Sequence, residues 1–214
     1  MSNYDLQLLQ AQHGFLRYDL EEIAARFRLD KDEAYLYLPF LGRLHRISRI
    51  SALVEVQEKG AWQSAGFHTG MTFFDLLTNP EGIPVLSGQW CAHASLNSVR
   101  GGTLKGELAL SPEVAAPFAG KSEKLRQVCE SLGATPAEKG DYACILPLFP
   151  WFSVLLRFYE ADEDFPAQLM LLWDKYTTRY LRYETTFYTA HAVLNRLQTL
   201  LSQEKNKESE EEIV

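Results

Sequence analysis

Apolar positions near the N-terminus recur at helical spacing. Tyr4, Leu8, Ala11 and Phe15 alternate steps of four and three, so they share one helix face. A second helix is predicted from Asp19, which caps it, with Glu22 at the reciprocal position of a capping box. Leu20, Ile23 and Phe27 supply its apolar face. The period then drops to two. Residues 34–38 predict a strand that stops at Pro39, which cannot donate to a ladder. Residues 43–48 and 52–57 alternate in the same way, and Lys59-Gly60 signals a turn. Residues 69–77 return to helical spacing, with Thr69 as the cap, Met71, Phe74 and Leu77 inward, and Asn79-Pro80 as the stop.

The middle of the chain, residues 85–111, is weakly patterned, with a short strand candidate at Val85-Leu86 and a Gly101-Gly102 pair. Residues 122–132 give the cleanest helix. Ser122 caps it, Leu125, Val128, Cys129 and Leu132 form its stripe, and Gly133 ends it. Strands follow at 142–146, 153–160 and 167–173, the last two joined as a hairpin through Ala161-Asp162-Glu163-Asp164-Phe165. Val154, Leu156 and Phe158 alternate with Leu155 and Tyr159, so both faces are apolar and the hairpin is expected to be covered on both sides. A final helix over 185–201 buries Phe187, Ala190, Leu194, Leu197 and Leu201. This order predicts one α+β domain over residues 1–203, a mainly antiparallel sheet packed with helices, followed by a disordered acidic tail at 204–214.

Charge sharpens that division. The 214-residue chain carries 21 Lys+Arg and 28 Asp+Glu, 21 − 28 = −7. The tail from Glu204 holds five glutamates and two lysines, 2 − 5 = −3, leaving about −4 on the folded body. The tail has too little apolar surface to repay its ordering entropy. A mildly acidic body lacks the basic field of a nucleic-acid binder. The apolar runs are shorter than the roughly 20 residues of a membrane-spanning helix, and no basic region precedes an apolar run at the N-terminus. Cys91, Cys129 and Cys144 are an odd number with no close pair, which fits a reducing compartment. The expectation is a cytoplasmic protein without nucleic-acid or membrane partners.

The candidate chemistry is sparse. Cys91 and His93, two apart on an extended chain, would present two ligands to one face, but a structural zinc needs four. Cys129 and Cys144 sit in apolar stripes, so Cys91 and His93 are weak metal candidates, and no metal or cofactor is expected. Gly101 to Gly106 has phosphate-loop spacing, yet Glu107 and Leu108 stand where Lys and Ser/Thr belong. Arg100 and Lys105 remain able to hold an anion there. His68 and Asp75 lie two helical turns apart, about 10 Å, too far for a catalytic pair. His191 reads as a satisfied histidine at the core edge, and His13 and His45 have no partner at this level. The most distinctive neighbourhood is the acidic hairpin Glu160, Asp162, Glu163 and Asp164, with Trp151 and Trp173 nearby. Aromatics beside acids suit a small amphipathic ligand.

Several segments carry a resemblance. They are Leu38-Pro39-Phe40-Leu41-Gly42, Leu86-Ser87-Gly88-Gln89-Trp90, Pro147-Leu148-Phe149-Pro150, the run from Glu160 to Ala167, and Asp174 with Tyr180-Leu181. Together they resemble an uncharacterised domain family of anaerobic bacteria and archaea, catalogued as a domain of unknown function, over roughly residues 18–201. Some members of that family are joined to, or encoded beside, iron–sulfur domains and corrinoid-dependent one-carbon metabolism. The resemblance implies an accessory role in anaerobic metabolism and brings no catalytic residues. This chain has no Cys-rich cluster motif, so it is not expected to bind an iron–sulfur cluster on its own.

The reading that follows is a non-enzymatic accessory protein that binds a small molecule or a protein partner. Its expected site residues are Glu160, Asp162, Glu163, Asp164, Trp151, Trp173 and His68. One alternative is an enzyme whose site is assembled from the dispersed His68, His93, Glu160 and Asp162. Another is an interaction protein acting through a homo-oligomeric surface.

Overall fold

A computed structural model describes residues 2–97 and 112–211. The glycine-rich segment at 101–106, with Arg100 and Lys105, lies outside the described residues. Helix α1 (Asn3–Phe15) opens on a capping box between Ser2 and Asp5 and buries Phe15. Helix α2 (Leu20–Phe27) is capped by Asp19, which accepts hydrogen bonds from the Glu21 and Glu22 amides at 2.8 and 3.2 Å. Glu22 does not close the expected box, because its carboxylate pairs with Arg26 one turn on.

The first sheet is an antiparallel meander in chain order: β1 (Asp30–Lys31), β2 (Tyr35–Phe40), β3 (Arg43–Ser48), β4 (Val54–Glu58) and β5 (Ala61–Ser64). Strand β2 does not stop at Pro39, which lies opposite Leu44 in β3. Strand β1 reaches only Leu36 and Tyr37, so the ladder at Pro39 has one neighbour and tolerates a missing donor. Two-residue turns with left-handed backbone, Leu41-Gly42 and Lys59-Gly60, close the hairpins. At Gly42 a Cβ would come within 2.8 Å of Leu132, so a side chain there would collide as well as strain the turn.

Helix α3 (Gly66–Thr78) begins three residues before the expected start. Ala65 ends the sheet by donating to Val54 O at 2.9 Å, and the chain turns straight into the helix. Thr69 is therefore a buried interior residue, not the cap. The expected strand at Val85-Leu86 is absent, and the strand forms later, as β6 (Trp90–Cys91). His93 starts a short 310 turn, so Cys91 and His93 do not share a strand face.

After α4 (Pro112–Ala115) come α5 (Ser122–Ser131), β7 (Thr135–Pro136), β8 (Tyr142–Phe149), β9 (Phe152–Tyr159) and β10 (Gln168–Asp174). The second sheet has the order β6-β10-β9-β8-β7, all antiparallel where paired. The predicted hairpin is present, with Gln168 opposite Tyr159 and Leu172 opposite Leu155. Both faces of β9 are covered, as its run of apolar residues required. Helix α6 (Thr177–Tyr180) leads into α7 (Tyr183–Glu211). Helix α7 buries Ala190, Val193, Leu194, Leu197 and Leu201, and its turns continue past Leu201 through Glu/Lys-rich sequence with good helix propensity.

One contiguous core runs from Phe15 to Leu201, so the chain is a single α+β domain. Its centre joins β2, α3 and β8, where the rings of Phe40, Phe73 and Phe149 lie 4.7–5.5 Å apart. The Leu41 amide donates to Leu148 O at 2.9 Å and ties the two sheets together. Among the described residues no helix is long and apolar enough to cross a membrane.

Candidate functional site

Helix α3 presents Met71, Phe74, Asp75 and Thr78 at i, i+3, i+4 and i+7, so one carboxylate stands on an otherwise uncharged stripe. Ala11, Gly14 and Phe15 of α1 face that stripe, and Arg182 and Thr185 at the start of α7 complete a cleft of about 440 Å³. Arg17 and Tyr18 rim it from the turn after α1. Phe15, Met71 and Phe74 give it an apolar side, and Arg17, Asp75 and Arg182 give it a polar one.

Asp75 is the pivot of the cleft. Its side chain is 11% exposed, while that of Arg182 is 79% exposed. The carboxylate accepts from the Arg182 amide at 2.7 Å and from Arg182 Nε at 2.9 Å. It thus caps α7 from another helix and pins an exposed guanidinium over the cleft. A second recess lies on the other side of this ion pair, walled by Asn79, Pro80, Thr178 and Tyr180. Asp75 and Arg182 line both spaces.

The residues expected from sequence to form a site are dispersed. Glu160 holds the start of α5: its carboxylate accepts from the Gly120 and Ser122 amides at 2.7 and 3.1 Å. Ser122 is accordingly the first residue of α5 and not its cap. Asp162 closes its own loop, accepting from the Asp164 and Phe165 amides at 2.9 and 2.7 Å. Glu163 and Asp164 are exposed at the tip. Trp151 lies at the other end of β9 from Glu160, separated by nine extended steps or roughly 30 Å. Its ring stacks on Phe149 at 5.0 Å. Trp173 is 1% exposed and belongs to the core.

Each histidine has its own surroundings. His68 stacks on His191, with ring centroids 4.8 Å apart. Burial, and then the His191 charge, hold His68 below the usual imidazole range, and burial does the same to His191. His93 sits between Thr186 Oγ1 at 2.6 Å and the Tyr183 hydroxyl at 3.2 Å, against the edge of Phe187. Burial lowers its pKa too. His45 is fully buried, its Nδ1 3.1 Å from Arg43 O, and burial pushes it down to about 4. No histidine among the described residues is hydrogen-bonded to a carboxylate. Among the described residues no three His, Cys, Asp or Glu side chains converge on a metal position.

Cysteines far apart in sequence do meet. Cys129 of α5 and Cys144 of β8 are buried side by side, and the neighbouring thiol together with burial pushes Cys129 upward. Cys91, half-buried in β6, is pushed up by burial and then by Asp174. Cys91 and Cys129 are thereby held protonated, while the hydrogen bond from Cys129 lowers Cys144.

Asp75 and Arg182 were the site residues least visible in the sequence. The available signal was a carboxylate at a core-facing position of a helix, which calls for a partner. Nothing local names Arg182 as that partner, since 107 residues separate the two.

Residues 19–196 match the family described as "Domain of unknown function (DUF3786)", well over half of the chain. No curated protein and no solved structure matches it.

Proposed function

Because the chain belongs to the family described as a domain of unknown function (DUF3786), we propose a function from its own geometry: a binding module for a small amphipathic molecule with an acidic head. The ligand lies in the cleft between α1, α3 and the start of α7. Its apolar body packs on Phe15, Met71 and Phe74, and its acidic head meets Arg17 and Arg182. The observation that carries this reading is a cleft with Phe15, Met71 and Phe74 on one side and two exposed arginines, Arg17 and Arg182, on its rim. The accessory role in anaerobic one-carbon or redox metabolism that the resemblance implies belongs with this proposal, as does the cytoplasmic compartment.

Native mass spectrometry of the purified protein, with titration of an aryl carboxylate such as phenylacetate, tests it. A retained small acid, or saturable phenylacetate binding, that disappears in the cleft-filling Ala11→Trp supports the reading. Binding that Ala11→Trp leaves intact, or no binding at all, overturns it.

A second reading keeps the acidic hairpin as a docking point for a protein partner. Phe165 is 62% exposed beside Glu163 and Asp164, an unusual position for a large apolar ring. Exchanging Asp162, Glu163 and Asp164 for Asn and Gln should then weaken capture of a basic partner. Unchanged capture removes this reading.

A further inference from the structure

Arg43 of β3 and Arg196 of α7 line a separate cavity of about 370 Å³, together with Glu58 at the end of β4 and the first turn of α3. Two guanidinium groups share one carboxylate there. Glu58 is paired with Arg43. Among the described residues Arg196 forms no ion pair with a carboxylate, and its one hydrogen bond is a long one, Nε to Leu41 O at 3.4 Å. Arg43 Nε is buried without a hydrogen-bond partner. The half-buried Arg196 is pushed down to about 10, by burial first and by Arg43 second. An unbalanced positive charge in a partly desolvated cavity is costly unless an anion joins it.

The rest of the wall suits an anion with an organic part. The first turn of α3, which lines the cavity, carries no acidic residue, so the positive end of its dipole meets no side-chain carboxylate of its own. Ala65, Phe67 and Ala192 give the same cavity an apolar side. Its volume exceeds what a bare oxyanion fills and falls within the roughly 300–1,000 Å³ of small-molecule sites.

We propose that this cavity binds the phosphate monoester of a small organic molecule. The phosphoryl group lies between the Arg43 and Arg196 guanidiniums against the start of α3, and the organic part rests on Ala65, Phe67 and Ala192. Planar guanidinium forks match phosphoryl oxygens in geometry as well as charge. Glu58 competes with the ligand for Arg43, which gives the site a test with opposite signs. This site is independent of the α1–α3–α7 cleft.

The experiment is calorimetric titration of the full chain with phenyl phosphate and with inorganic phosphate at matched ionic strength. Saturable binding of phenyl phosphate, tighter than that of inorganic phosphate, is expected. Arg196→Gln should weaken it about ten- to a hundredfold, Glu58→Gln should tighten it, and the exposed-site control Arg28→Gln should leave it unchanged. A general loss of structure cannot tighten binding, so Glu58→Gln separates a site from a folding defect. If Arg196→Gln does not fold, Arg196→Lys keeps the charge but loses the fork and should still weaken binding. The proposal is overturned by no saturable binding, by equal losses in Arg196→Gln and Arg28→Gln, or by no tightening in Glu58→Gln. Inorganic phosphate binding as tightly as the ester overturns the monoester assignment. Ala11→Trp, which fills the other cleft, should leave this binding unchanged, so the two proposals fail separately.

Discussion

Glu160 caps Ser122: the carboxylate at the end of β9 accepts from the Ser122 amide at 3.1 Å and from the Gly120 amide at 2.7 Å, 38 and 40 residues earlier in the chain. An acid that reads as a ligand-binding group in the sequence is in the structure a helix cap supplied from a distant strand. Glu160→Ala should therefore lower stability by about 1 kcal/mol, the usual cost of a lost cap. Glu163→Gln, at the exposed loop tip, should cost almost nothing. Urea denaturation of both variants checks the contrast; equal losses would place the energy in the loop and not in the cap.

Asp174 is a buried carboxylate with three donors: Ser87 Oγ at 2.9 Å, the Gly88 amide at 2.8 Å and the Tyr176 amide at 2.9 Å. It anchors the segment before β6 to the end of β10. Asp174→Asn replaces one acceptor oxygen by a donor that faces donors. It should cost about 2–4 kcal/mol and speed hydrogen exchange at the Gly88 and Tyr176 amides. Unaltered exchange at both positions would refute the anchoring role.

His45 makes stability depend on pH. Its folded-state pKa of about 4 lies below the ordinary 6.5, so protons bind the unfolded chain first. The contribution of neutral His45 is complete above about pH 6.5 and is lost as pH falls toward 4, a total of about 3 kcal/mol. His45→Phe forgoes the contact to Arg43 O and should change stability at neutral pH by only about 1 kcal/mol. It should also flatten the pH dependence between about 6.5 and 4. The other buried-edge histidines titrate in both proteins, so the difference between the two melting curves isolates His45.

Among the described side chains the last core residue of α7 is Leu201. Removing everything after Gln203 should leave the melting temperature within about 2 °C of the full chain, since surface changes away from packed features fall within roughly 0.5 kcal/mol. A larger drop in differential scanning calorimetry would show that the acidic end contributes to the fold.

Periodicity along the chain made the long elements legible, because each buries one face and must repeat accordingly. The hairpin of β9 and β10 and the stripe of α7 from Ala190 to Leu201 stand where their apolar spacing puts them, while the expected Phe187 is only half-buried beside His93. Termini were less readable, because distant partners decide them. Glu160 displaces Ser122 as cap, and the bond of Ala65 to Val54 O brings the start of α3 forward from Thr69. Short edge strands such as β1 and β6 have only two residues, too few to show a period. The clefts were not readable, since Asp75 with Arg182, and Arg43 with Arg196, are brought together only by packing.

Each sheet is built largely of neighbouring strands closed by short loops, and such pairing forms quickly because little chain entropy is spent per contact. The bond from Leu41 to Leu148, with Phe40 against Phe149, is of another kind, for it needs two preformed meanders to find each other across half the chain. Of the two kinds of contact, this one carries the larger loop-closure cost. Trp151, stacked on Phe149 and beside Phe27, sits at the meeting point as a natural fluorescent reporter of when the halves dock.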